Sequence, residues 1–281
     1  VIKKPIITEI DDMLFDVPSY NVASNPYKPN SDAEWCAYEQ IKLSDYIICS
    51  TQYIADQIMD MFGEKKIYIV PNSIDFKIYD NLKPIHDEKN KKGEGVVRIG
   101  YTGCGNHDSD VKILKNVVWK LLDEFKNVEF YFVHPFKSLD IKHERFIVTG
   151  QWVSMDMYPH YLSGYDFDIG IAPLVDNNFN RSKSNLRWLE YSAIKVPTVA
   201  SSVYPFKNSI KHGSDGVLCK SELDWYEALK SLIVDKGKRI DMGIQAYTRV
   251  KKDFNMDTVS KQYAEILQSI KLCSGVKSKQ K

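Results

Sequence analysis

Four residues close together in the chain combine types that handle a phosphorylated sugar: Lys183, Ser184, Arg187 and Glu190. Cations and a carboxylate together make a set suited to a sugar nucleotide. If the stretch is one helix, Lys183, Arg187 and Glu190 fall at i, i+4 and i+7 on one face, with Leu186, Leu189 and Ala193 turned toward a sheet. The alternative is a solvated stripe whose Arg187–Glu190 pair contributes only a few tenths of a kcal/mol. Two details favour a site. Lys183 and Arg187 are like charges one turn apart, and a cation at a helix start opposes the macrodipole unless an anion sits there.

A second group lies between residues 100 and 107, where Gly103, Gly105, Asn106 and His107 form a small-residue loop between a strand and a helix. Such a loop lets backbone N–H groups approach a phosphate, although the glycines at 100, 103 and 105 do not make the dinucleotide fingerprint. Many strand-to-helix turns use glycine without any ligand. His107 would donate to a diphosphate or a sugar hydroxyl, or else only to neighbouring backbone. Asp108 and Asp110 read as the cap and first-turn acids of the following helix. Asp11 and Asp12, with Asp16 nearby, end an early strand. They offer either capping, a place in a cleft, or a thin metal reading without matching His or Glu.

The elements that must position these residues alternate between apolar strands and amphipathic segments, the pattern of α/β domains with parallel sheets. Strands are expected at Pro5–Ile10, Tyr46–Cys49, Lys66–Val70, Val96–Tyr101, Val128–Val133, Arg145–Val148 and Phe167–Leu174. The last of these leads through a polar loop and a short helix, ended by Pro197, to another β-rich run, a βαβ unit whose strand ends are where ligands bind. Helices are expected at Ala33–Leu43 with Ser31 or Asp32 as cap, Gln52–Phe62, Asp110–Phe125 and Thr258–Ile270. Residues 81–95, carrying Lys89-Asn-Lys-Lys-Gly-Glu-Gly95, have linker composition. The domains expected are 1–80, a linker 81–95, 96–256, and a closing helix with a basic tail over 257–281.

With 38 Lys and Arg against 37 Asp and Glu, the net charge is +1, which gives no basic field for nucleic acid. The five cysteines, Cys36, Cys49, Cys104, Cys219 and Cys273, share no C-x-x-C spacing. That fits reduced thiols in the cytoplasm better than disulfides or zinc. No apolar run reaches the roughly 20 residues of a membrane span. The basic tail over 271–281 reads as a solvated end or a peripheral contact with an anionic inner membrane face.

Several segments together resemble the nucleotide-sugar-dependent glycosyltransferases of GT-B architecture, family 4 type. They are Ser44-Asp-Tyr-Ile-Ile-Cys-Ser50, Val70-Pro-Asn-Ser-Ile-Asp75, Phe167-Asp-Ile-Gly-Ile-Ala-Pro-Leu174, and the run Lys183-Ser, Leu189-Glu-Tyr, Val196-Pro-Thr-Val-Ala-Ser201. The resemblance implies two Rossmann-like domains, the N-terminal one incomplete, and transfer of a sugar from a nucleoside diphosphate sugar to a glycan or lipid-linked glycan. It assigns Glu190 to the ribose hydroxyls, Lys183 to the diphosphate and the Gly103–His107 loop to the diphosphate or the sugar. Retention of anomeric configuration and independence from metal or other cofactors are implied as well. Two departures stand out. The family often has an acid where this chain has Ser182. The first half is about half the length of a complete domain of this fold, and the chain opens at Val1, as expected of a fragment or a trimmed chain. The alternative function is therefore a nucleotide-sugar-binding or scaffolding module without catalysis, with an epimerase as a third reading. The candidates facing the reacting sugar are Asp11, Asp12 and His107.

Overall fold

The computed structural model describes residues 4–15, 17–19, 21, 26–86, 88–103, 105–150 and 153–273. Asp16, Cys104 and the end of the basic tail lie outside them. The chain divides into two compact units. The first gathers Val1–Ser73, Asn177–Ser184 and Phe254–Lys281, and the second Ile74–Asp176 and Asn185–Asp253.

In the first unit, β1 (Ile7–Ile10), β2 (Tyr46–Cys49) and β3 (Ile67–Ile69) form a parallel sheet in that order. Tyr46 to Cys49 are buried on both faces, as the continuous apolar run demands of a central parallel strand. One face packs Ile41, Ile54, Ala55 and Ile58 from the helices Asp32–Leu43 and Gln52–Phe62. Ser31 and Thr51 cap these helices by accepting from the N–H groups of Glu34 and Ile54, which satisfies donors that have no partner in the first turn. The other face is covered by the helix Met256–Cys273, whose Ile266 and Ile270 meet Tyr46 and Ile48. The closing helix is thus part of the core of the first unit.

The second unit holds six parallel strands: β4 (Val97–Tyr101), β5 (Val128–Phe132), β6 (Phe146–Val148), β7 (Ile169–Ala172), β8 (Thr198–Ser201) and β9 (Val217–Cys219). Their order, β6-β5-β4-β7-β8-β9, reverses direction between β4 and β7. This is the doubly wound arrangement, and the crevice at the carboxyl ends of β4 and β7 is where such sheets bind ligands. Helices Lys115–Glu124 and Glu222–Val234 bury Val117, Leu121, Leu229 and Leu232 in the main core.

Residues 81–95 lie along the second unit. Ile85 donates its N–H to the His160 carbonyl at 3.0 Å, and Lys92 reaches the Asp166 carbonyl and the Asp168 carboxylate at 2.8 and 3.1 Å. A Cβ on Gly164 would overlap the Ile85 backbone, so the segment and the helix Tyr158–Gly164 touch main chain to main chain. The helix expected over Asp110–Phe125 is two, Asp108–Lys112 and Lys115–Glu124.

Candidate functional site

The chain leaves β4 at Tyr101, so Thr102 stands at the carboxyl end of the sheet beside the switch point. The helix Leu186–Ala193 follows β7 and brings Arg187 and Glu190 to the same place. Arg187 Nη1 donates to the Thr102 carbonyl at 3.2 Å, to Thr102 Oγ1 at 2.5 Å and to Glu190 Oε2 at 3.2 Å. Tyr158 OH donates to Glu190 Oε2 at 3.1 Å and to Thr102 Oγ1 at 3.0 Å. Tyr191 OH donates to the Gly100 carbonyl at 3.2 Å. A polar ring closes around one carboxylate oxygen, while Glu190 Oε1 has no hydrogen-bond partner among the described residues.

This pair is buried, not the solvated stripe of the alternative reading: Glu190 is only 9% exposed. Desolvation raises its pKa above the ordinary carboxylate value, against the opposing pull of Arg187 and the Tyr158 hydrogen bond. Burial works against the Arg187 charge, yet Glu190 and the surrounding phenols outweigh it and hold the guanidinium protonated. Burial, then the Glu190 charge, also pushes the phenol of Tyr79 up.

The single helical face expected for Lys183, Arg187 and Glu190 does not form. Two short helices replace it, Asn178–Ser182 and Leu186–Ala193, and Lys183 between them is extended with ψ 158°. Asn177 caps the first helix, and Asn185 starts the second without a side-chain cap, so cap-forming residues punctuate the run. Leu186 consequently turns outward at 37% exposure, while Leu189 and Ala193 are buried as expected.

Lys183 and Ser184 belong to the first unit, where they meet the acids at the end of β1. Lys183 Nζ is 3.7 Å from Asp12 Oδ2 and 4.4 Å from the centre of the Phe179 ring. Asn72 Nδ2 donates to both Asp11 Oδ1 and Ser184 Oγ, each at 2.9 Å. Ser50 Oγ holds the Asp11 carbonyl at 2.8 Å. Asp11, Asp12, Asn72, Lys183 and Ser184 thus form one polar cluster from three separate stretches of sequence.

In the loop after β4, Gly105–His107 is a single turn of 3-10 helix. A Cβ on Gly103 would strike the buried Tyr101 ring, and one on Gly105 would crowd His134 Nε2 at 2.8 Å, so packing inside the protein already accounts for Gly103 and disfavours a side chain at Gly105. Asn106 is half-buried beside them. His107 Nδ1 pairs with Asp110 Oδ2 at 2.8 Å. Asp110 is almost fully buried, and its other oxygen accepts the N–H of Val175 beyond β7 at 2.8 Å. It ties the two loops of the switch point together, a larger role than the first-turn acid expected. Asp108 accepts the N–H of Ser138 at 3.0 Å and caps nothing. Thr102, Tyr158, Tyr191 and Tyr79 were not singled out as site residues in the sequence. Asn72 stood in a quoted segment, but only the fold joins it to Asp11.

Comparison with known proteins gives the family and the fold. A family model described as glycosyl transferase-like matches residues 119–265, just over half of the chain. The chain belongs to that family, and its fold is that of GT-B glycosyltransferases. TuaH of Bacillus subtilis (strain 168), named for a glycosyltransferase of teichuronic acid biosynthesis, is 24% identical over 173 residues. That alignment covers 58% of this chain and 42% of TuaH, so the chain spans well under half of that relative. Anabaena HepE in complex with UDP-glucose superposes with a TM-score of 0.68 at 13% identity, covering 95% of this chain and 72% of HepE. Sucrose-phosphate synthase from Thermosynechococcus elongatus gives 0.67 at 12% identity, covering 95% and 68%. S. aureus TarM, in a complex that includes UDP, gives 0.63 at 15% identity, covering 92% and 50%. At such identities these likenesses show the fold.

Proposed function

We propose that this chain carries the donor site of a glycosyltransferase that moves a sugar from a nucleoside diphosphate sugar to a glycan or lipid-linked glycan. The observation that carries the reading is Glu190, a buried carboxylate at the switch point with one oxygen held by Tyr158 and Arg187 and the other without a partner. Such an acid is oriented before a ligand arrives, and its second oxygen is an acceptor for a ribose hydroxyl. Family membership and the UDP or UDP-glucose named with HepE and TarM support a nucleotide-sugar donor.

In this reading the bond from the anomeric carbon to the diphosphate breaks, and an acceptor hydroxyl bonds to that carbon. Its proton leaves with the diphosphate. Lys183 steadies the leaving charge, and the reaction retains configuration without a metal. Isothermal titration with UDP, GDP and ADP tests the core of the proposal. Glu190→Ala should weaken binding of the preferred nucleotide by about tenfold or more, the loss expected for a buried charged hydrogen bond. Unchanged affinity sinks the assignment. Lys183→Ala should weaken the diphosphate but not the parent nucleoside. Activity that survives EDTA supports metal independence, and its loss removes that part of the proposal.

The second reading, binding without catalysis, has one observation in its favour. Ser182 is fully buried and donates to the Phe179 carbonyl at 2.7 Å, so nothing at this position replaces the acid often found there. A transfer assay with the nucleotide sugars that bind separates the two.

A further inference from the structure

The first unit contains a hollow of about 550 Å³, lined by Phe15, Trp35, Tyr38 and Met61 with Asn30, Ser31, Asp32 and Glu34. The Tyr38 and Phe62 rings lie 4.7 Å apart at a tilt of 41°, and Phe15 meets both. Trp35 also lines the hollow and is 64% exposed. An indole left that bare gives up a large apolar burial and marks a surface that takes a partner. Among the described residues, neither its N–H nor the Asp32 carboxylate has a hydrogen-bond partner, and Glu34 uses one oxygen on the Asn30 N–H at 2.6 Å. Ser31 and the two acids have a structural use at the helix start, but the exposed indole and the hollow have none.

We propose that this hollow holds a neutral oligosaccharide segment; that the segment belongs to the acceptor glycan rests on the transferase reading. A pyranose presents C–H bonds on one face and hydroxyls around its edge. Those C–H groups suit the electron-rich face of an indole, and the hydroxyls need acceptors at the rim. Asn30, Ser31, Asp32 and Glu34 supply them. An apolar protein surface would strip water from both carboxylates and give nothing back. Among the described residues the lining has no Lys, Arg or His, so an anionic segment would face two like charges without a counterion there.

The Trp35 indole N–H resonance, assigned with Trp35→Phe, is followed by NMR during titration with maltohexaose, cellohexaose and chitohexaose, and with a galacturonic acid oligomer. At least one neutral sugar should move it in a saturable way. Trp35→Ala should cost about tenfold in affinity, the loss of one well-packed aromatic contact, with an unchanged melting temperature. Asp32→Asn, a second exposed position, should weaken binding less. The proposal is overturned if none of the neutral sugars moves the resonance, or if the acidic oligomer binds more tightly. It is also overturned if Trp35→Ala instead dissolves a dimer in sedimentation. The readout does not involve Glu190, so loss of nucleotide binding alone would overturn the donor reading and leave the sugar site standing.

Discussion

A carboxylate buried at 9% exposure beside one guanidinium makes Glu190 the residue whose protonation matters most. Its folded pKa lies above the ordinary value, so the folded state binds the proton more readily than the unfolded chain. The contribution of Glu190 to stability is therefore most favourable below about pH 4.5 and declines as pH rises through the raised pKa. Nucleotide binding has the opposite sense, because the ionised form is the better double acceptor of ribose hydroxyls. Affinity should fall as pH drops through that same window, and Glu190→Gln should flatten the profile, as titration calorimetry at several pH values would show. Arg187→Met removes the charge that pulls this pKa down, so the acid limb should move to higher pH. The variant should also lose on the order of 3 kcal/mol in urea denaturation, the cost of stranding a buried acid. The pairing of Arg187 with Glu190 was legible from their i, i+3 spacing. Tyr158 and Thr102 were not, since only the sheet brings together residues so far apart in sequence.

At the scale of elements, the apolar runs gave the strands to within a residue or two, most closely at Tyr46–Cys49, which is buried on both faces. The helix around Lys183 failed for a local reason. Asn177 caps one short helix and Asn185 begins the next without a side-chain cap, so the chain breaks where an uninterrupted stripe was expected, and Lys183 and Ser184 in the break meet Asp12 and Asn72. The charged segment over 81–95 reads as a linker by composition, yet its hydrogen bonds to the helix Tyr158–Gly164 and to Asp168 are invisible to composition. Gly164→Ala tests that contact directly. The added methyl meets the Ile85 main chain, so stability should drop by about 1–3 kcal/mol. Limited trypsin digestion should then cut first among Lys89, Lys91 and Lys92. A variant as stable and as resistant as the parent would show that the contact is dispensable.

For the whole molecule, the α/β alternation made parallel sheets and a two-part organisation legible, but not how the chain weaves between the parts. Residues 177–184 return to the first unit in the middle of the second, and no signal in eight polar-rich residues says which core they join. A nucleotide bound at the switch point should stabilise the second unit by mass action, by about 2.7 kcal/mol at a hundred times its Kd. Hydrogen exchange with saturating UDP should slow at Thr102, near Tyr158 and over Arg187–Tyr191. The amides of β1 and β2 should change little. Equal protection in every strand would argue against a site at the carboxyl ends of β4 and β7.

The interleaving also governs how such a protein can be recombined. A graft that moves donor specificity into a related scaffold must carry two pieces, 74–176 and 185–253, and leave eight residues behind between them. Arg187 and Glu190 would travel with the graft, whereas Lys183 and Ser184 would stay with Asp12 and Asn72 in the host. A single crossover at residue 74 would keep Arg187 and Glu190 with Thr102 and Tyr158 but separate Lys183 and Ser184 from Asp12 and Asn72. Two-piece chimaeras would therefore show which parent dictates the nucleotide and which one handles the leaving group.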